Sequence, residues 1–318
     1  MIEKRIIGVA GLGHVGAHVA FCLGMMGVAD EVLLCDANEK KVISECNDLN
    51  DAFMFMPNHT TYRVVDYAGL AEAHIIVNAV GDIRICQSLN RDDELANSVR
   101  QVSDYVPKVM AAGFNGYFVN ITNPCDVITR LIQKLTGLPK NHVLGTGTML
   151  DSSRLVHAIC DATNLDSRGF FAFMMGEHGN SQFAPWSQVN FYGQTLDQIE
   201  SQLGVKLDRA AIQEKAIQGG WLTLSGKGCT EYGIASAAAT LVRTILHDEK
   251  RIISCSVELD GQYGEHDIYI GVPAIIGANG VEKVLDYELS EDEKATFKTC
   301  IAKVRSNIEK ANAILAEK

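Results

Sequence analysis

The sequence predicts an α/β fold: a Rossmann doubly wound parallel sheet followed by a mixed α+β domain. Short apolar runs alternate with helical stretches through the first 147 residues, the rhythm of parallel strands joined by crossover helices. Gly11-Leu12-Gly13-His14-Val15-Gly16 falls between the first run and the first helix. After about Gly147 the rhythm changes to long helices and two neighbouring strand-like runs.

Taken in order, residues 5–10 form a first strand, 14–26 a helix, 31–35 a second strand, and 62–66 and 75–80 two more. Helix 92–112, strand 117–121, helix 124–135 and strand 142–145 complete the alternation. Beyond it the pattern predicts helix 150–163, strand 170–175, helices 208–224 and 232–247, strands 252–259 and 268–276, and a terminal helix from 291. Each assignment rests on period-3.6 or continuous apolar patterning bounded by turn residues. The expected domains are 1–147, binding a dinucleotide, and 148–318, binding substrate. No flexible linker separates them, so they are expected to share a cleft.

With 318 residues, 47% of them hydrophobic, the chain can build two sizeable cores. Its net charge of -11, with acidic residues scattered, argues against nucleic acid as a partner. No apolar run approaches the roughly 20 residues that span a bilayer, and no signal-peptide pattern is present, so a cytoplasmic protein without membrane association is expected. The nine cysteines are widely spaced without a Cys-x-x-Cys pair, which predicts reduced thiols and no metal site.

The glycine loop is a weak signal alone, but Asp36 ends the second strand twenty residues after Gly16. There a carboxylate accepts hydrogen bonds from the adenosine ribose. Gly11, Gly13, His14, Val15, Gly16 and Asp36 therefore form a candidate dinucleotide site. The carboxylate would repel a 2'-phosphate, and no arginine adjoins it, so NAD is expected rather than NADP. His178, in Gly176-Glu177-His178-Gly179-Asn180-Ser181, is the candidate proton-transfer residue, because hydride transfer needs an accompanying proton donor with a pKa near neutrality.

Together with Asn123 in Asn120-Ile121-Thr122-Asn123-Pro124, Asp151 and Arg154 in Leu150-Asp151-Ser152-Ser153-Arg154, and Gly226-Lys227-Gly228-Cys229-Thr230-Glu231-Tyr232-Gly233, these residues resemble the L-lactate/L-malate dehydrogenase superfamily over essentially the whole chain. The match looks closer to the L-2-hydroxyisocaproate and L-lactate dehydrogenases of lactic acid bacteria. The resemblance implies an NAD-dependent dehydrogenase that reduces a 2-oxo acid to the L-2-hydroxy acid. His178 would be the acid/base, Asp151 its partner, and Arg154 the bidentate anchor for the substrate carboxylate. Asn123 would bond substrate or nicotinamide, with a cis Asn-Pro bond, and Val80 and Gly81 would border the dinucleotide.

The resemblance further makes residues 81–91 a closing loop, with Arg91 polarising the carbonyl. The sequence departs from the family there, having Cys86-Gln87-Ser88-Leu89-Asn90 and one extra residue. Counted forward from Gly81, the specificity position is Arg84, which implies oxaloacetate or malate. Counted back from Arg91 it is Ile85, which implies an apolar side chain. Thr230 and Trp221 lean toward a monocarboxylic substrate, although Trp221 could equally be helix core. The family also implies a homotetramer, or a dimer.

Overall fold

The computed structural model describes residues 4–82, 84–85 and 91–317, without the side chains of Arg91 and Asp92. Its N-terminal strands are β1 (Ile6–Ala10), β2 (Glu31–Cys35), β3 (Thr61–Val64), β4 (Ile75–Asn78), β5 (Tyr117–Asn120) and β6 (Val143–Gly145). Most of their residues are buried on both faces, as parallel strands between helical layers must be. Helices α1 (His14–Met25), α2 (Glu39–Ala52), α3 (Arg91–Ala111) and α4 (Cys125–Thr136) connect them. The spatial order β3-β2-β1-β4-β5-β6 is parallel throughout, and the chain reverses direction across the sheet between β1 and β4. In such sheets a crevice opens at the carboxyl ends of the strands at that reversal.

The second half contributes helices α5 (Met149–Thr163), α6 (Leu196–Leu203), α7 (Arg209–Lys227), α8 (Tyr232–Leu246) and α9 (Glu291–Ala316). A small hairpin, β7 (Asn190–Phe191) with β8 (Gln194–Thr195), lies apart from the main sheet. The long strands β9 (Arg251–Asp260), β10 (His266–Gly277) and β11 (Gly280–Val284) pair antiparallel. They do not build a sheet of their own. β9 lies beside β6, with Gly145 opposite Ser256, and extends the main sheet to nine strands. One core surrounds that sheet, and a smaller one unites α5 and α7 through Leu155, Ile159, Met174, Ile212 and Ala216.

One strand assignment is corrected. Residues 170–175 run extended but make only isolated bridges, Phe171 with Asn190 and Met175 with Phe183. The backbone groups of Met174 go to side chains instead: its N–H donates to Ser152 Oγ, and its carbonyl accepts from Ser254 Oγ. An apolar run looks the same whether neighbouring strands or side chains satisfy its backbone. Helices α2 and α6 and strand β11 were not anticipated. α2 carries only Val42, Cys46 and Leu49 as buried residues among many charged ones, so its periodicity is thin.

Candidate functional site

The glycine turn is set by close approach. Gly11 has φ +92°, and a Cβ there would meet the Ala79 carbonyl oxygen at 2.6 Å. A Cβ on Gly16 would lie 1.8 Å from the Gly11 carbonyl oxygen, whereas one on Gly13 would meet nothing within 4 Å. The first and third glycines thus close the turn, and the second leaves it open at the start of α1. Asp36 follows β2 and accepts from Leu12 N–H at 2.6 Å and Asn38 N–H at 2.8 Å, which ties the turn to the end of the second strand. His14 is exposed beside the turn, while Val15 reaches the cleft wall.

A buried polar network forms the floor at the ends of β4 and β5. Asn78 Nδ2 donates to Asn120 Oδ1 (2.7 Å) and Thr122 Oγ1 (3.1 Å), and Tyr105 donates to Asn78 Oδ1 at 2.8 Å. Thr122 in turn donates to the Val80 carbonyl at 2.7 Å. These contacts fix the exits of both strands, one leading to Val80 and Gly81, the other to Asn123 and its cis peptide bond with Pro124.

Three side chains then converge. Asp151 and Arg154 lie one turn apart on α5, where positions i and i+3 share a face. Arg154 Nη1 donates to Asp151 Oδ1 at 2.7 Å, and His178 Nδ1 lies 2.7 Å from Asp151 Oδ2. Each carboxylate oxygen serves one cation-forming partner. The ring contact makes Nδ1 the donor and leaves Nε2 for the cleft. Burial disfavours the His178 imidazolium, but the charge and hydrogen bond of Asp151, with Asp126 behind, outweigh it and raise the pKa above the usual value. Burial likewise works against the Asp151 carboxylate, but His178, Arg154 and Gln182 hold its pKa below the usual range.

The cleft between the two halves is lined by Asp151, Arg154 and His178 together with Asn123, Thr230 and Trp221, all anticipated. Trp221 is a half-buried wall residue, and its Nε1 donates to Asn180 Oδ1 at 3.1 Å, so it is not helix core. Arg84 and Ile85 do not line the cleft. Arg84 is exposed and forms a two-point pair with Asp82, at 3.0 and 2.6 Å. Arg91 opens α3 with its side chain outside the described residues, as are residues 86–90 entirely.

Several contributors were not legible beforehand. Asp126 Oδ2 accepts from His178 N–H at 2.8 Å and its Oδ1 from Ser256 Oγ at 2.6 Å, so a second buried carboxylate holds the histidine segment. Burial pushes its pKa up to about 6 against those two donors. Gly219 and Gly220 on α7 face Arg154: a Cβ on Gly219 would lie 2.9 Å from Arg154 Cδ. Neighbours 50 to 130 residues away in sequence leave no local pattern to read.

Comparison with known proteins agrees with this geometry. The family model described as lactate/malate dehydrogenase, NAD binding domain, matches residues 5–145, and the one described as lactate/malate dehydrogenase, alpha/beta C-terminal domain, matches 148–315. The L-lactate dehydrogenase of Fusobacterium nucleatum is 39% identical over 314 residues, covering 97% of this chain and 98% of its own. L-lactate dehydrogenase 1 of Bifidobacterium longum is 41% identical over the same shares. Among solved structures, the ligand-bound minor L-lactate dehydrogenase of Enterococcus mundtii superposes with a TM-score of 0.92 at 30% identity, covering 96% of this chain and 98% of that one. The malate dehydrogenase of Cryptosporidium parvum superposes at 0.90 and 26% identity, covering 98% and 100%. With both halves matched end to end, this chain belongs to the lactate/malate dehydrogenase family of NAD-dependent 2-hydroxyacid oxidoreductases.

Proposed function

We propose that the enzyme reversibly reduces a 2-oxo monocarboxylic acid, pyruvate or a larger homologue such as 2-oxoisocaproate, to the L-2-hydroxy acid. The observation that carries this reading is the convergence of His178, Asp151 and Arg154 on one cleft beside the glycine turn. Gly11, Gly13, His14, Val15, Gly16, Asp36, Val80 and Gly81 would hold NADH, which when bound would supply a hydride for the carbonyl carbon. Arg154 pairs with the substrate carboxylate through its planar fork, one edge of which Asp151 already orients. His178 Nε2 gives its proton to the carbonyl oxygen, and Asp151 stabilises the imidazolium that makes this possible. In the reverse direction the neutral imidazole takes the hydroxyl proton. Asn123 bonds substrate or nicotinamide, and Arg91 polarises the carbonyl from the loop side.

The preference for a monocarboxylate rests on the walls. Ile217, Trp221, Leu224 and Ile234 are apolar, Glu94 adds negative charge, and Arg154 is the one permanent cation among the described lining residues. A second substrate carboxylate would lack a partner there. Thr230 stands on the same wall, and Ile85, which lies outside the lining, is the specificity position of this reading. The second reading, an L-malate dehydrogenase acting on oxaloacetate, requires Arg84 to exchange Asp82 for the substrate. That exposed pair is a weak restraint.

We further propose the domain boundary at 147/148 and a cytoplasmic homotetramer, with a dimer as the smaller assembly. Support for assembly comes from Phe53, Met54 and Phe55, contiguous and exposed at the end of α2. No helix among the described residues is long and apolar enough to cross a membrane.

The catalytic assignment is tested by His178→Ala. Reductive kcat should fall by about 10²–10⁴-fold, the usual contribution of a positioned acid/base, while NADH binding followed by fluorescence stays within two-fold of wild type. Full turnover in the variant would refute the role.

A further inference from the structure

The cysteine and histidine spacing predicts no metal site, yet among the described residues the fold assembles a set of ligand-type atoms from distant positions. A ring nitrogen of His14, the Cys229 thiol and a Glu231 carboxylate oxygen all lie within 4.8 Å of one another. His14 opens α1 at the glycine turn, and Cys229 and Glu231 sit between α7 and α8 on the facing side of the cleft mouth. We propose that these three residues bind one thiophilic divalent cation of the zinc class, and that its occupation competes with the dinucleotide. The competition rests on the dehydrogenase reading above; the cation site itself does not.

The donor set fits such an ion. Thiolate, imidazole and carboxylate are the ligands zinc takes, and three protein ligands with a fourth position open to water is a recurrent arrangement. Tetrahedral zinc would place neighbouring sulfur and nitrogen donors about 3.5 Å apart, from metal bonds of about 2.3 and 2.0 Å. The exposed His14 can close that gap by side-chain rotation. Cys229 and Glu231 are buried and already in contact, the thiol donating to Glu231 Oε1 at 3.0 Å. On binding, the thiol proton leaves to solvent as the sulfur–metal bond forms, so charge and electrons balance without an oxidant.

Two other groups face Glu231. Lys227 Nζ lies 3.3 Å from Oε1 and packs over the Tyr232 ring, and His18 Nδ1 lies 3.3 Å from Oε2. A divalent cation displaces the lysine ammonium, whose side chain is partly exposed and can withdraw into water. The link to the dinucleotide is positional. His14 belongs to the glycine turn and Val15, Cys229 and Thr230 line the cleft, so an ion joining the two sides occupies the approach to the open Gly13.

Cobalt(II) reports thiolate ligation through its sulfur-to-metal charge-transfer absorption, and zinc should abolish the signal by displacement. Titration of the full-length enzyme should saturate at one cobalt per chain. Cys229→Ser should remove the band, and His14→Ala or Glu231→Gln should weaken binding at least about ten-fold, since loss of even an outer partner costs a metal site that much. No band in wild type, or an undiminished band in Cys229→Ser, overturns the site. Repeating the titration with saturating NADH should raise the apparent Kd for cobalt; an unchanged Kd overturns the competition. Neither cobalt arm without NADH depends on turnover, so an inactive dehydrogenase would leave the site standing.

Discussion

At the scale of single residues, the site is organised by two buried carboxylates with opposite pKa shifts. Asp151 is held ionised by His178 and Arg154, and Asp126 is raised to about 6 by burial. The raised His178 pKa extends the imidazolium to higher pH than an ordinary histidine allows, so reductive kcat/KM should stay high and then fall as pH rises through that value. The oxidative direction has the opposite sign. Asp151→Asn removes the attraction but leaves the burial, so the falling limb should move to lower pH by at least about one unit. A limb that stays in place would show that another group titrates there.

Asp126 makes a stability prediction. A carboxyl whose folded pKa exceeds its unfolded value binds protons more tightly when folded, so its contribution is most favourable below about pH 4 and is lost as pH rises through about 6. Asn can still accept from His178 N–H and donate to the Ser256 hydroxyl. Relative to wild type, Asp126→Asn should gain stability between pH 4 and pH 7, by up to about 3 kcal/mol for a two-unit shift. Urea unfolding at both pH values checks this, and an unchanged difference would mean that the carboxylate is better solvated than its burial implies.

At the scale of elements, Arg154, the proposed carboxylate anchor, depends on α7 as much as on its own helix. Gly219 leaves room for its stem, and a methyl group there would crowd Cδ at 2.9 Å. Replacing a helical glycine by alanine ordinarily gains about 0.5–1 kcal/mol. Gly219→Ala should therefore hold or raise Tm while kcat/KM for the oxo acid falls about ten-fold, mainly through KM, because a displaced anchor misplaces the substrate. A lower Tm with unchanged KM would make Gly219 a packing residue only.

Elements with strong local signals were legible in the sequence, and those held by distant partners were not. β1, β2 and β4 read clearly because consecutive apolar residues fill a two-sided core, and the glycine turn because its neighbours forbid a side chain. Of the site, Asp151, Arg154 and His178 were identified by motif resemblance and lie together. The roles of Asp126 and Gly219 were invisible because their partners lie far along the chain. The segment at 170–175 misled because hydrophobicity reports burial and not the identity of the hydrogen-bond partner.

At the scale of the whole molecule, β9 joins the parallel sheet of the N-terminal half to the C-terminal half, and the cleft opens where α1, α5, α7 and the segment bearing His178 meet. One half presents the glycine turn, and the other Arg154 and His178, the proposed anchor and acid/base, with the apolar wall. Steady-state NADH oxidation with pyruvate, 2-oxoisocaproate and oxaloacetate, compared by kcat/KM in one buffer, tests the central claim most directly. The cleft predicts that a monocarboxylic oxo acid wins by at least ten-fold. A preference for oxaloacetate by orders of magnitude would contradict it and make Arg84 the residue that selects the substrate.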